Sequence, residues 1–369
     1  MRVLVISNMY PSTTAPTFGI FVKNQVEALG KRGLHLDVAA VTNPNMGKRN
    51  VMEKYSKWMF HTCRRFLSKE SSYDIIHAHY AFPSGMLARW FKKRYGIPYV
   101  VTSHGGDLNK MARKSPFFFK QTKKILQDAA HVIVVGYDLE QQVLHDFEVP
   151  PEKLSVFSMG VNRDVFYPHD TQLVREKLGV NSEHKHLLYV GNILPEKGST
   201  DLIEGFAKVK EDMPETKLHI VGQPKQQSYY DKLTKRIETL GLTEDVHFHG
   251  SRPQAEVAEW MSAADVFVLP SHIEGFGLVA VEAMACATPV VGTDTGGLSH
   301  LLAEDAGALA MPKQPETLAA SVMRVLKDDV YRKRLLENAK KRVEENDAEE
   351  ITDRVLSIYE KAIQKGTKQ

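Results

Sequence analysis

Cysteine is nearly missing from this chain: Cys63 and Cys286 are the two in 369 residues. Their distance apart and unlike surroundings support neither a disulfide framework nor a zinc motif, and a reducing, cytoplasmic setting is the expectation. No stretch reaches the roughly 20 apolar residues of a membrane helix. The opening MRVLVISNMY lacks a signal-peptide cleavage pattern. Any meeting with a membrane is therefore expected to be peripheral, on its inner face. Repeats of solenoid period and low-complexity segments are absent. The first strand, loop and helix also lack the GxGxxG fingerprint, which weakens a dehydrogenase reading.

Net charge is small, +3 overall, but it is unevenly spread. Residues 1–166 hold 23 Lys and Arg against 13 Asp and Glu, whereas the remainder holds 25 against 32. A basic first half and an acidic second half suggest an anionic partner for the first. The length exceeds what one ordinary core serves. The boundary is expected at the Pro-flanked stretch 150–168, giving domains 1–166 and 167–346, with a final amphipathic helix, 347–369, packing back on the first.

Short apolar runs alternate with helical patterns along both halves. In the first, strands are expected at 3–7, 35–41, 74–79, 99–103, 131–135 and 154–157, with helices at 20–31, 52–69 and 84–95. In the second, strands are expected at 186–190, 218–221, 246–250, 266–269 and 289–292, with helices from 200 and at 254–263, 315–326, 330–343 and 348–363. Continuous apolar strands between helices predict parallel, doubly wound α/β sheets. Ligands of such sheets gather at the carboxyl ends of strands.

The richest stretch is 271–297, SHIEGFGLVAVEAMACATPVVGTDTGG. Glu274 directly precedes Gly275, Phe276 and Gly277, and Glu282 follows eight residues later, about two turns into the expected helix. Glycines before a helix leave N–H groups uncovered at its positive end, where a phosphate can sit. The two carboxylates suit hydroxyls of whatever that phosphate carries. Lys197, in GNILPEKG, stands near a helix start as a point charge for a phosphate, or as an ordinary surface lysine. His104, followed by Gly105, Gly106 and Asp107, ends a strand. Gly19 opens the first helix, where it either admits an anion or eases a turn. Residues 47–124 carry 17 basic and four acidic residues, interleaved with Trp58, Phe60, Phe66, Trp90, Phe91, Phe117, Phe118 and Phe119. That mixture suits an anionic membrane surface or a phosphate-bearing lipid, or else a solvated face over buried aromatics. No nucleic-acid module is present.

Six elements taken together carry a resemblance: EGFGLVAVEAMACATPVV with its E-x7-E spacing, ADVFVLPS before it, GTDTGG after it, GNILPEKG, HGGD and VFSMGVNRDVFYP. They resemble, in order and over nearly the whole chain, the family 4 retaining glycosyltransferases. That resemblance implies a GT-B fold, with two Rossmann-like domains facing a cleft and closing over a nucleotide diphosphate sugar, UDP-linked being the expected form. It implies that Glu282 holds the ribose and Glu274 the donor sugar beside Gly275, Phe276, Gly277 and Leu278. Lys197 would stabilise the leaving diphosphate, and Asn192 would border it. His104 would lie beside the sugar, Asp107 on the acceptor side, and Gly19, Gly296 and Gly297 around the diphosphate. The base would lie near 249–252. The pattern is similar to bacterial capsule, exopolysaccharide and teichuronic-acid assembly enzymes, with a polysaccharide or lipid-linked acceptor. It implies no metal and no further cofactor.

Two positions depart from the family. Asn192 stands where Arg is usual, removing a fixed positive charge, and Ser299 and His300 replace a Pro-Glu pair. A nucleotide-sugar epimerase of the same fold, and a donor-binding scaffold without catalysis, are the alternatives.

Overall fold

The computed structural model describes residues 1–43, 48–67 and 72–366. The chain folds as two compact units: Met1–Gly160 with Ala348–Gln369, and Val161–Asp347.

In the first unit six strands, β1 (Arg2–Ser7), β2 (His35–Ala40), β3 (Ile75–His79), β4 (Tyr99–Ser103), β5 (His131–Val134) and β6 (Leu154–Val156), form a parallel sheet. Their spatial order is β2-β1-β3-β4-β5-β6. Alternate residues of the central strands enter different cores. Leu4, Ile6, Ile76 and Val101 lie in one, and Val3, Val5, Ile75 and Val100 in the other. Burial on both faces explains why these strands read as unbroken apolar runs. The second of those cores is closed by helices Ile20–Lys31 and Ala348–Gly366, through Val22, Leu29, Val355 and Tyr359. Arg32 clamps their edge, its Nε 2.9 Å from Asp353 Oδ1.

In the second unit β7 (Lys185–Val190), β8 (Thr216–Val221), β9 (Val246–Gly250), β10 (Val266–Leu269), β11 (Val290–Thr293) and β12 (Ala308–Ala310) are again all parallel. Their order is β12-β11-β10-β7-β8-β9. The chain winds outward from β7 to β9, returns to β10 beside β7, and winds the other way. The place where the direction reverses lies between β7 and β10, and in sheets of this kind ligands gather outside the strand ends at such a point. In the first unit the reversal lies between β1 and β3. The expected parallel α/β architecture is thus present twice, with a different strand order each time.

Several expectations need adjusting. The helix expected at 52–69 is Lys48–Leu67; residues 68–69 and Gly47 lie outside the described residues, as does the side chain of Phe66. The expected turn at 293–297 leads into a short helix, Gly296–Leu302. The helix after Gly277 begins at Leu278, so Glu282 sits about one turn inside it, not two.

Candidate functional site

In the second unit β7 runs into Gly191 and Asn192, then a single turn, Pro195–Lys197, and Gly198 before helix Ser199–Asp212. Gly198 has φ 68°, and a Cβ there would lie 1.8 Å from the Pro270 carbonyl oxygen. Only glycine lets the loop after β7 pass that close to the loop after β10. The consequence is a contact across the reversal point: Lys197 Nζ lies 2.8 Å from Glu274 Oε2. The buried Ser271 donates its hydroxyl to the same oxygen at 3.1 Å. His272 fastens the loop to the helix after β7, its backbone N–H donating to the Glu196 carbonyl at 2.9 Å and its Nε2 lying 2.6 Å from Asp201 Oδ2.

Gly275 and Phe276 are half-buried, and Gly277, at φ 91°, caps helix Leu278–Ala285. The backbone N–H groups of Gly275, Phe276, Gly277 and Leu278 have no acceptor among the described residues. The loop is held by Gly297, whose N–H donates to the Glu274 carbonyl at 3.1 Å. A Cβ on Gly297 would come within 2.3 Å of the Gly275 oxygen. Gly296, at φ 53°, begins that supporting helix. The result is a row of free donors next to a cation, which suits a phosphate chain.

Glu282 is half-buried, and no hydrogen-bond partner for its carboxyl is found among the described residues. Burial pushes its carboxyl up to about 8. A carboxyl lodged in the protein without a cation is at a disadvantage when ionised, and hydroxyl donors from a ligand would remove that disadvantage. Asn192 is exposed, and its carbonyl accepts from the Tyr189 hydroxyl at 2.9 Å. On the base-side segment, His249 Nε2 lies 3.0 Å from His219 Nδ1, and Arg252 pairs with Glu256 at 3.6 Å.

In the first unit His104 follows β4 directly, its half-buried ring between Phe21 and Tyr80, with centroids 4.8 and 4.7 Å away. Its Nε2 lies 3.1 Å from His79 Nδ1. Burial pushes His104 down to about 3. Asp107 is buried, and both its oxygens are taken: Oδ2 by the Ala81 N–H at 2.7 Å, Oδ1 by the Ser103 hydroxyl at 2.8 Å. It ties the loops after β3 and β4 together, and burial raises its carboxyl. Gly19, at φ 73°, caps helix Ile20–Lys31, and a Cβ there would lie 2.7 Å from the Met9 carbonyl carbon. Packing alone therefore requires glycine at 19.

The structure thus joins Lys197 to Glu274 and surrounds His104 with aromatic rings. Sequence reasoning passed over Ser271 and His79, which touch Glu274 and His104. The spacing His77-x-His79 was a visible signal, since both rings must leave β3 on one face. Of the expected surface aromatics, Trp58 and Phe91 are core residues, whereas Phe60, Trp90 and Phe117 are 64, 47 and 62% exposed.

Residues 170–342 match the family described as Glycosyl transferases group 1, and residues 19–165 match Glycosyltransferase Family 4. The chain is 28% identical over 373 residues to TuaC of Bacillus subtilis, whose name assigns it to teichuronic acid biosynthesis as a glycosyltransferase. The match covers 90% of this chain and 91% of that one. It is 32% identical over 281 residues to a D-inositol 3-phosphate glycosyltransferase of Frankia alni, covering 72% and 69%. Its fold matches Anabaena HepE, solved with UDP and glucose, at a TM-score of 0.76 and 21% identity, over 97% of this chain and 98% of that one. At that identity the likeness establishes the GT-B fold and nothing finer.

Proposed function

Because this chain belongs to glycosyltransferase family 4, we propose that it moves a sugar from a UDP-linked donor, with retention at the anomeric carbon, to a polysaccharide or lipid-linked acceptor of the cell surface. The observation that carries the donor half is the β7/β10 reversal point, where Lys197 and four unpartnered N–H groups stand beside Glu274. Transfer builds positive character on the sugar and negative charge on the departing phosphate. Fixed donors aimed at that phosphate act where charge develops. Glu282, one turn into the helix that carries those donors, would accept from the ribose hydroxyls, and Glu274 from the sugar.

Glu274 rests in an ion pair and is not a free nucleophile. That arrangement favours a front-face route, in which the leaving phosphate helps take the acceptor's proton and no carboxylate attacks the sugar. The two-carboxylate scheme of glycoside hydrolases therefore does not apply. In this scheme Lys197 and the helix end supply the positive charge, with no metal required.

The acceptor half rests on the first unit, where exposed Phe60, Trp90 and Phe117 lie in its basic segment. Aromatic and basic side chains together suit an acceptor presented at an anionic membrane, and the name of the Bacillus relative points the same way. Among the described residues no helix is long and apolar enough to cross a membrane, so attachment would be peripheral. UDP release from a panel of UDP-sugars, with membrane extract as acceptor, tests the reading in the native chain and in Glu274→Gln. If neither donor binding nor turnover responds to that substitution, the site is elsewhere. Epimerisation of a UDP-sugar without acceptor would support the epimerase alternative, and nucleotide binding without transfer would support the scaffold.

A further inference from the structure

Strand β3 sends His77 and His79 to the same face, where they stack on each other, their centroids 4.4 Å apart. His77 is saturated: its Nδ1 lies 2.6 Å from the Tyr359 hydroxyl and its Nε2 2.7 Å from Thr102 Oγ1. His79 is not. It is fully buried, its Nδ1 meets His104 Nε2 at 3.1 Å, and its own Nε2 has no partner among the described residues. His104 differs in one respect: its ring is half-buried, and its Nδ1 is not among the buried polar atoms left without a partner.

We propose that His79 is a positioning residue that fixes the tautomer of His104, so that His104 meets its ligand as a neutral Nδ1–H donor. One proton lies between His79 Nδ1 and His104 Nε2, and it belongs to one ring or the other. If His104 donated, neutral His79 would carry its remaining proton on Nε2, a fully buried N–H with no protein group to receive it. If His79 donates, its Nε2 is a bare lone pair, the less costly of the two defects, since orphaned buried N–H groups are the rarer kind. At the other end of the pair, His104 Nδ1 is accessible and either state can be met. The closed end therefore decides. His104 Nε2 accepts, and its proton is left on Nδ1. Burial holds both rings neutral, His104 down to about 3 and His79 well below the ordinary range. His104 then offers a hydrogen bond to an oxygen of the ligand and cannot serve as the base that takes the acceptor's proton.

The inference rests on the reading that His104 lies beside the donor sugar, and the two can fail separately. In the full chain labelled with 15N-histidine, long-range 1H–15N correlation is expected to show a protonated Nδ1 and an unprotonated Nε2 for His104 from pH 6 to 8, assigned with His104→Gln. The reverse pattern overturns the inference whatever the kinetics. With a turned-over UDP-sugar, His79→Leu is expected to lower kcat about tenfold to a hundredfold, with the donor KM within about twofold. His79→Asn, whose Nδ2 can donate from near the place of His79 Nδ1, is expected to recover most of that loss. Where His104→Ala does lower turnover, an unchanged kcat in His79→Leu, or an Asn variant no better than Leu, also overturns it. Unaltered turnover in His104→Ala would defeat the sugar-contact reading alone. If His79→Leu does not fold, or no UDP-sugar is turned over, the spectrum of the unmodified chain decides.

Discussion

Replacing Glu282 by Gln is expected to stabilise the second unit at pH 8 and to leave it almost unchanged at pH 5. The carboxyl has an ordinary value of 4.5 and is pushed up to about 8 by burial alone. The folded chain thus holds this proton more tightly than the unfolded chain. The associated stability is complete below 4.5, erodes as pH rises, and is gone once pH passes about 8. Taken in full, that interval corresponds to ~5 kcal/mol at high pH. Some surface at Glu282 stays accessible, which lowers the figure to about 3 kcal/mol at pH 8, and to under about 1 kcal/mol at pH 5. For a unit of this size each kcal/mol moves the melting temperature by roughly 2–4 °C, so the Gln variant should melt about 6–12 °C higher at pH 8. Calorimetry of both proteins at the two pH values, with the transitions of the two units followed separately, measures the difference. An equal gain at pH 5 and pH 8, or none at either, would mean that the fold does not raise this carboxyl, and the reasoning would fail. The same variant should bind UDP at least about tenfold more weakly if Glu282 holds the ribose.

Three other perturbations bear on the remaining features. Lys197→Met removes the cation beside the free N–H groups and should lower kcat by about a hundredfold or more in UDP release; a change confined to KM would show that the lysine merely binds. Gly297→Ala places a methyl 2.3 Å from the Gly275 oxygen and should cost about 1–3 kcal/mol in thermal unfolding while weakening UDP binding; normal binding would detach the loop from the site. Binding of the chain to anionic vesicles should weaken as salt rises and weaken further in Trp90→Ala, and equal binding to neutral vesicles would remove the electrostatic account.

The architecture was legible where local chemistry punctuates the chain. Helices Ile20–Lys31 and Gln254–Ala263 and strands β4, β9 and β10 have the expected bounds, because Gly or Pro stands close to most of their ends. It was not legible where tertiary contact overrides a local signal. The pair Gly296–Gly297 reads as part of a turn, yet it starts a helix, and glycine is required at 297 because a Cβ there would lie 2.3 Å from the Gly275 oxygen. Helices Thr171–Leu178 and Gln227–Thr239 were not distinguished from loop, and β12, at three residues, is too short to show a period. Alternation of strands and helices predicts parallel sheets but not their order, so the difference between the two sheets needed the structure. The same limit applies to the site. Glu274, Glu282 and Lys197 stand out by spacing, but the Lys197–Glu274 contact joins residues 77 apart, and nothing in the sequence shows that the His79 ring meets His104.

The resting pair between Lys197 and Glu274 has a bearing on turnover. A bound nucleotide sugar would give each member a replacement, phosphate for the lysine and hydroxyl for the glutamate. A spent nucleotide would occupy the lysine and leave the glutamate facing a phosphate with no donor between them. Re-forming the 2.8 Å contact therefore competes with the product more strongly than with the substrate. In an enzyme limited by release of its leaving group, that contact would act as an internal displacer, clearing the site for the next donor.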